Sequence, residues 1–194
     1  MAAASGTRPM SNPRRILAAL DRHLATPAEI TLFGRSALAL GYRQAPVHFH
    51  NTQDVDAILP LAWLEAPGRQ EDFWQAVQLT NAELEPDGLY LTHLFREVDV
   101  ILQPDWFNRR LRLDTGLRKL AVFRPATIDL ILTKMARADE DDLQDIRFLL
   151  QQEPLTRDQL EAAFARARLP DLPEIQELFN RARPKVLALN APMR

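Results

Sequence analysis

Cysteine is absent from the 194 residues, which excludes disulfides, a thiolate metal centre and a cysteine nucleophile. Long apolar runs are absent too: nothing approaches the ~18 residues that a membrane span needs, so no membrane association is expected. The opening MAAASGTRPMSNPRR lacks the apolar middle of a secretory signal and reads as a short, partly disordered tail over residues 1–12. With no export signal and no cysteine, a cytoplasmic setting is expected. An excess of positive charge is also missing: the net charge is −2, which argues against a general nucleic-acid binder. There is no P-loop lysine motif and no Gly-x-Ser-x-Gly, and Ser36 has no evident base.

What remains is a composition that folds. Apolar residues make up 46% of the chain, enough for a real core in one ordinary domain or two small lobes. Charge is unevenly spread. Arg109, Arg110, Arg112, Arg118, Lys119 and Arg124 form a basic run broken only by Asp114. Such a run could hold RNA phosphates or decorate a solvated hairpin, and both readings stay open. Asp139, Glu140, Asp141, Asp142 and Asp145 reverse the sign and suit a helix N-terminus, where the helix dipole favours anions.

Periodicity gives the element order. Asn12-Pro13 opens a helix whose stripe is Ile16, Leu17, Leu20 and Leu24. EITLFG (29–34) is a strand, SALALGY (36–42) a helix and QDVDAILP (53–60) a strand stopped by Pro60. QEDFWQAVQLTNAEL (70–84) is a helix with Phe73, Trp74 and Val77 facing in. LYLTHLF and EVDVILQ read as strands, and residues 110–123 as a hairpin about Asp114-Thr115-Gly116. After Pro125 four helical segments follow, one opened by the capping box of Thr156 and Gln159. The expected fold class is α+β: a mixed-sheet lobe over 13–124 and a helical lobe over 125–194.

Asp54 and Asp56 interrupt the apolar run HFHNTQDVDAIL. Residues two apart in a strand project from one face, so their carboxylates stand together. Parallel carboxylates repel unless a cation lies between them, and a hard divalent ion prefers such oxygens. Asp99, flanked by valines in EVDVIL, is a third candidate if its strand lies alongside. Three converging carboxylates suit a metal site that orients and neutralises a triphosphate. A lone strand aspartate is more often solvated, and D-x-D alone is a weak motif. His48 and His50 with Asp54 offer a zinc alternative, although edge or loop histidines are the commoner case. Trp63, Trp74 and Trp106 read as core or interface rather than a base-stacking platform.

The succession ITLFGRSALALGY, NTQDVDAIL and EVDVIL resembles the nucleotidyltransferase-like superfamily: strand, glycine-led turn, helix, D-h-D strand, h-D-h strand. NTQDVDAIL resembles the T-x-D-[IV]-D form of AbiEii-like, toxin-type (DUF6036-like) members. PATIDLILTKMARADEDDLQDI is similar to their P-x-D-L-h-x-x-K-h-x-R segment and the R-D-x-x-D-h that follows, here Pro125, Asp129, Leu130, Lys134, Arg137, Asp142 and Asp145. The resemblance covers about residues 30–150. It implies a small mixed sheet with flanking helices and transfer of a nucleotidyl group from an NTP to an acceptor hydroxyl. It assigns Asp54, Asp56 and Asp99 to catalysis and to Mg²⁺ or Mn²⁺. Gly34, Arg35, Ser36 and Lys134 would contact the nucleotide. It also implies a bacterial origin and admits an RNA or tRNA acceptor and an antitoxin partner. Two positions depart from the pattern. Arg35 replaces the usual small residue after Gly34, and Asp141 stands where arginine is usual. The alternative is a catalytically degenerate relative that binds a partner protein or a nucleotide.

Overall fold

The computed structural model describes residues 10–66, 68 and 70–190. Residues 1–9 of the expected tail lie outside the described residues.

Ser11 holds the N-cap position of the first helix, α1 (Asn12–His23), without a side-chain capping bond, and Pro13 sits in its first turn, where a missing N–H costs nothing. Ile16, Leu17 and Leu20 bury its stripe completely. Next come β1 (Ala28–Phe33), α2 (Gly34–Gly41), the short α3 (Val47–His50), β2 (Asp54–Leu59), the short α4 (Leu61–Leu64) and α5 (Gln70–Leu84). A 3₁₀ turn and Gly88 in the left-handed region (φ +66°) lead into β3 (Tyr90–Arg96). β4 (Leu111–Leu113) and β5 (Leu120–Arg124) form the expected hairpin, with Gly116 at φ +71° in the connection.

The strands form one sheet in the order β3-β2-β1-β5-β4. β1 runs antiparallel to β2 and parallel to β5, and β2 runs parallel to β3. The sheet is therefore mixed, as the α+β reading expects. α6 (Thr127–Lys134), α7 (Glu140–Gln152), α8 (Arg157–Arg166) and α9 (Pro173–Leu189) follow. Thr156 and Gln159 bond reciprocally at the start of α8, as the capping-box spacing predicts. One apolar cluster runs from Ile16, Leu32 and Val55 through Ile131 to Leu149, Phe164 and Phe179, so the C-terminal helices share the core of the sheet. Each large side chain buried there contributes roughly 1.5–3 kcal/mol.

One expected strand is different. EVDVILQ is not a strand but a 3₁₀ turn at Glu97–Asp99 followed by a single bridge between Leu102 and Arg168. Glu97 is the cause. Its carboxylate accepts from the Leu61 backbone N–H at 2.9 Å and from the Trp106 indole at 2.7 Å, and Arg168 reaches the same oxygen as Trp106 at 3.3 Å. These bonds hold its carboxyl below the ordinary range although burial opposes them. They turn the chain away from the sheet and towards the last helices. Trp106 is buried with Ile58, Val100 and Leu102, a core role as expected.

Candidate functional site

The site begins where β1 ends. Phe33 pairs with Asp56 in the antiparallel register, so the turn into α2 starts beside that carboxylate. Gly34 takes φ +63°, which an L-residue rarely adopts, and a Cβ there would lie 3.0 Å from Asp56 Oδ2. Glycine is thus required twice, for the backbone and for the space. Asp54 and Asp56 lie on β2 with the fully buried Val55 between them, as strand alternation predicts. The Thr52 hydroxyl donates to Asp54 Oδ1 at 2.6 Å.

The third group at this edge is His93. Asp54, Asp56 and His93 each offer one ligand atom, all within 4.8 Å of one another. A β-bulge brings the histidine there. The β2–β3 register steps from Val55↔Leu91 to Ala57↔Leu94, so β3 carries an extra residue opposite Asp56. His93 itself sits at φ +44°. A left-handed L-residue costs on the order of 1–2 kcal/mol, and bulges next to functional sites re-aim side chains in this way. Its Nδ1 lies 3.0 Å from Asp56 Oδ1 and its ring stacks on Phe95.

The electrostatics of this edge are one-sided. Burial pushes the Asp56 carboxyl up to about 6, and the Asp54 charge adds to the shift. His93 and Lys134 pull it partly back. A carboxylate pair set against one exposed imidazole is short of positive charge. Two oxygens and one nitrogen within reach of one another fit a divalent cation.

Asp99 is not part of this group. It ends the 3₁₀ turn and makes a two-pronged pair with Arg96, both contacts at 2.7 Å. That guanidinium holds its carboxyl below the ordinary range. Ser36 is buried, and its hydroxyl donates to the Phe33 carbonyl at 3.0 Å, so in this state it closes the turn.

Arg35 and Lys134 belong to a second cluster beside the first. Arg35 pairs with Asp141 at 3.0 Å and with Asp145 at 3.5 Å. Lys134, 8% exposed, donates to Asp145 at 2.6 Å and to Asp142 at 3.3 Å. Arg137 completes the set with two bonds to Asp142. The two departures from the expected pattern, Arg35 on α2 and Asp141 on α7, therefore pair with each other. Asp139 caps α7 by accepting from the Asp142 N–H, as the acidic run predicts. Asp129, in the same family-like segment, is fully buried and holds the Gln103 N–H at 2.8 Å and Arg109 at 2.9 Å.

The basic run is largely engaged by the fold. Arg109 pairs with Asp129, Arg110 with Glu29, Arg124 with Glu153, and Lys119 reaches the Leu24 carbonyl at 2.5 Å. His48 and His50 lie on α3 rather than on a strand. A cleft of about 730 Å³ opens at the opposite end of α2, lined by Arg14, Arg15, Gly41, Arg43 and Asn51 among others. His50 of the zinc alternative lines it, but none of the residues expected to bind metal or nucleotide does, so the chemistry-bearing groups, not the cleft, locate the candidate site.

Sequence reasoning missed His93, because strand alternation gives no sign of a one-residue bulge. The Arg35–Asp141 pair had a usable trace: two departures of opposite charge within one motif set.

The family described as "Nucleotidyltransferase of unknown function (DUF6036)" matches residues 15–167. No curated protein and no solved structure matches the chain significantly. The match takes in the sheet, the Gly34 turn, Asp54, Asp56 and the Lys134–Asp145 cluster, and it spans most of the chain. The chain belongs to this family of nucleotidyltransferases of unknown function.

Proposed function

We propose that the chain transfers a nucleotidyl group from an NTP to an acceptor hydroxyl, with Asp54 and Asp56 holding Mg²⁺ or Mn²⁺. The observation that carries this reading is the pair of β2 carboxylates beside Gly34, whose charge His93 and Lys134 offset only in part. A bound ion would supply charge neutralisation at the triphosphate. The acceptor oxygen forms the new bond to the α-phosphorus, the bond to the β-phosphate oxygen breaks, and pyrophosphate leaves. The acceptor proton passes to a carboxylate of the pair or to water. Gly34 lets the chain approach the phosphates closely. Arg35 and Lys134 would face the same charge: Arg35 follows Gly34 and is 37% exposed at its side chain, and the Lys134 ammonium already influences Asp56. Asp99 lies past Arg96, which pairs with Leu59 at the far end of β2 from Asp54, so the metal rests on Asp54 and Asp56 in this proposal.

An RNA acceptor, tRNA included, is the finer part of the proposal. Its support is the resemblance to toxin-type members and the exposed Arg112 on β4. The toxin role and an antitoxin partner rest on that resemblance alone, and a cytoplasmic setting on the composition and the lack of an export signal. Among the described residues, no helix is long and apolar enough to cross a membrane.

The test is incubation with each labelled NTP, Mg²⁺ or Mn²⁺ and total RNA. Label should enter RNA with wild type and not with Asp56→Asn. NTP binding without transfer to RNA or protein would favour the degenerate reading instead.

A further inference from the structure

We propose that His93 is a nitrogen ligand of the Asp54–Asp56 site and makes it prefer Mn²⁺ to Mg²⁺; the inference rests on the reading that this carboxylate pair holds a metal. Three observations converge on the ring. One ring nitrogen lies with the two carboxylates inside a 4.8 Å group, which is the spacing of ligands to one ion, and Nδ1 is 3.0 Å from Asp56 Oδ1. The backbone departs from regular pairing at this point: the bulge and the φ of +44° turn the His93 side chain towards Asp56. The side chain is 62% exposed, so the bulge cannot be explained by burial of the ring in the core.

The donor set then selects among ions. Mg²⁺ keeps a hard, all-oxygen octahedron and sheds its water reluctantly. Imidazole binds first-row transition ions better, and Mn²⁺ accepts carboxylate oxygen and imidazole nitrogen together. Two carboxylates and an imidazole therefore favour Mn²⁺. The ring can ligate only when Nδ1 is unprotonated, with the other nitrogen carrying the proton. Stacking on Phe95, with centroids 5.8 Å apart and planes 17° from parallel, helps fix the ring's orientation.

The competing explanation is that His93 only hydrogen-bonds Asp56. Spectroscopy on the full chain with Mn²⁺ alone separates the two. Glycine adopts φ +44° readily, so His93→Gly removes the ring and keeps the bulge. Electron spin-echo spectra of Mn²⁺ bound to wild type should show coupling to an imidazole ¹⁴N, and His93→Gly should lose it. The Mn²⁺ dissociation constant should rise at least ~10-fold, the lower end of what even outer-shell partners cost. The Mg²⁺ constant, read by competition, should change much less. His93→Asp should bind Mn²⁺ without nitrogen coupling and narrow the Mn²⁺/Mg²⁺ ratio. Absence of ¹⁴N coupling in wild type, or a Mn²⁺/Mg²⁺ ratio unmoved by both variants, would overturn the role of His93. Unaltered Mn²⁺ binding in Asp56→Asn would instead overturn the carboxylate site on which the inference rests.

Discussion

Two charged clusters lie side by side in this molecule and solve opposite problems. At the β2 edge, Asp54 and Asp56 face an exposed imidazole, and the Asp56 carboxyl is driven up to about 6. Where α2, α6 and α7 meet, Arg35, Lys134 and Arg137 are matched by Asp141, Asp142 and Asp145, with Asp139 also 3.6 Å from Arg137. The first cluster is unbalanced and suited to a cationic ligand. The second is balanced internally, and its buried part ties the helices together. One motif thus gathers carboxylates that lack matching cations and the other pairs its charges across helices, although both resemble the same nucleotidyltransferase pattern.

The largest expected effect is in the balanced cluster. Lys134→Met leaves the buried Asp145 with the longer 3.5 Å contact to Arg35 and leaves the buried Asp142 with Arg137. Breaking one side of a buried pair costs about 3–5 kcal/mol. Urea unfolding should show a loss of that size. A loss below 1 kcal/mol would show that the cluster does not hold the helices.

The unbalanced cluster should respond with the opposite sign. Between pH ~4 and ~6 folded Asp56 keeps a proton that the unfolded chain releases, so its contribution to stability falls as pH rises through that window. Above pH 6 the ionised Asp56 is a net cost to the metal-free fold. Asp56→Asn should therefore stabilise the metal-free protein at pH 7.5 by roughly 2 kcal/mol, a little less than the full shift implies. The gain should vanish near pH 4. Destabilisation at pH 7.5 would contradict the uncompensated-charge account.

Arg35 links the clusters and should give the smallest stability change. Its pair with Asp141 is solvent-exposed, so Arg35→Ala should cost less than ~1 kcal/mol, and an Arg35/Asp141 double-mutant cycle should show a coupling of a few tenths. NTP binding should weaken nonetheless if Arg35 contacts phosphate. Tighter binding by Arg35→Ser would show that the guanidinium obstructs the pocket.

The contrast also explains what could be read from sequence. β2 was legible because alternation places Asp54 and Asp56 on one face, and α5 because its segment, 70–84, is bounded and periodic. Asp99 sits outside the carboxylate group because Glu97 is pinned by three partners from distant segments, which no local pattern encodes. His93 is reached by a bulge that adds one residue to a strand whose alternation looks ordinary. Lys134 was expected to contact the nucleotide, and its partners lie on the next helix, so its burial becomes visible only in three dimensions.

The central claim is that the Asp54–Asp56 edge is the ligand site. Thermal melts with Mg²⁺ or Mn²⁺ and each NTP, in wild type and Asp56→Asn, test it most directly. At a hundred times the dissociation constant a bound ligand adds about 2.7 kcal/mol of stability. At least one metal–NTP combination should raise the wild-type melting temperature accordingly, and Asp56→Asn should abolish the rise. An equal rise in both proteins, or none with any NTP, would contradict the account.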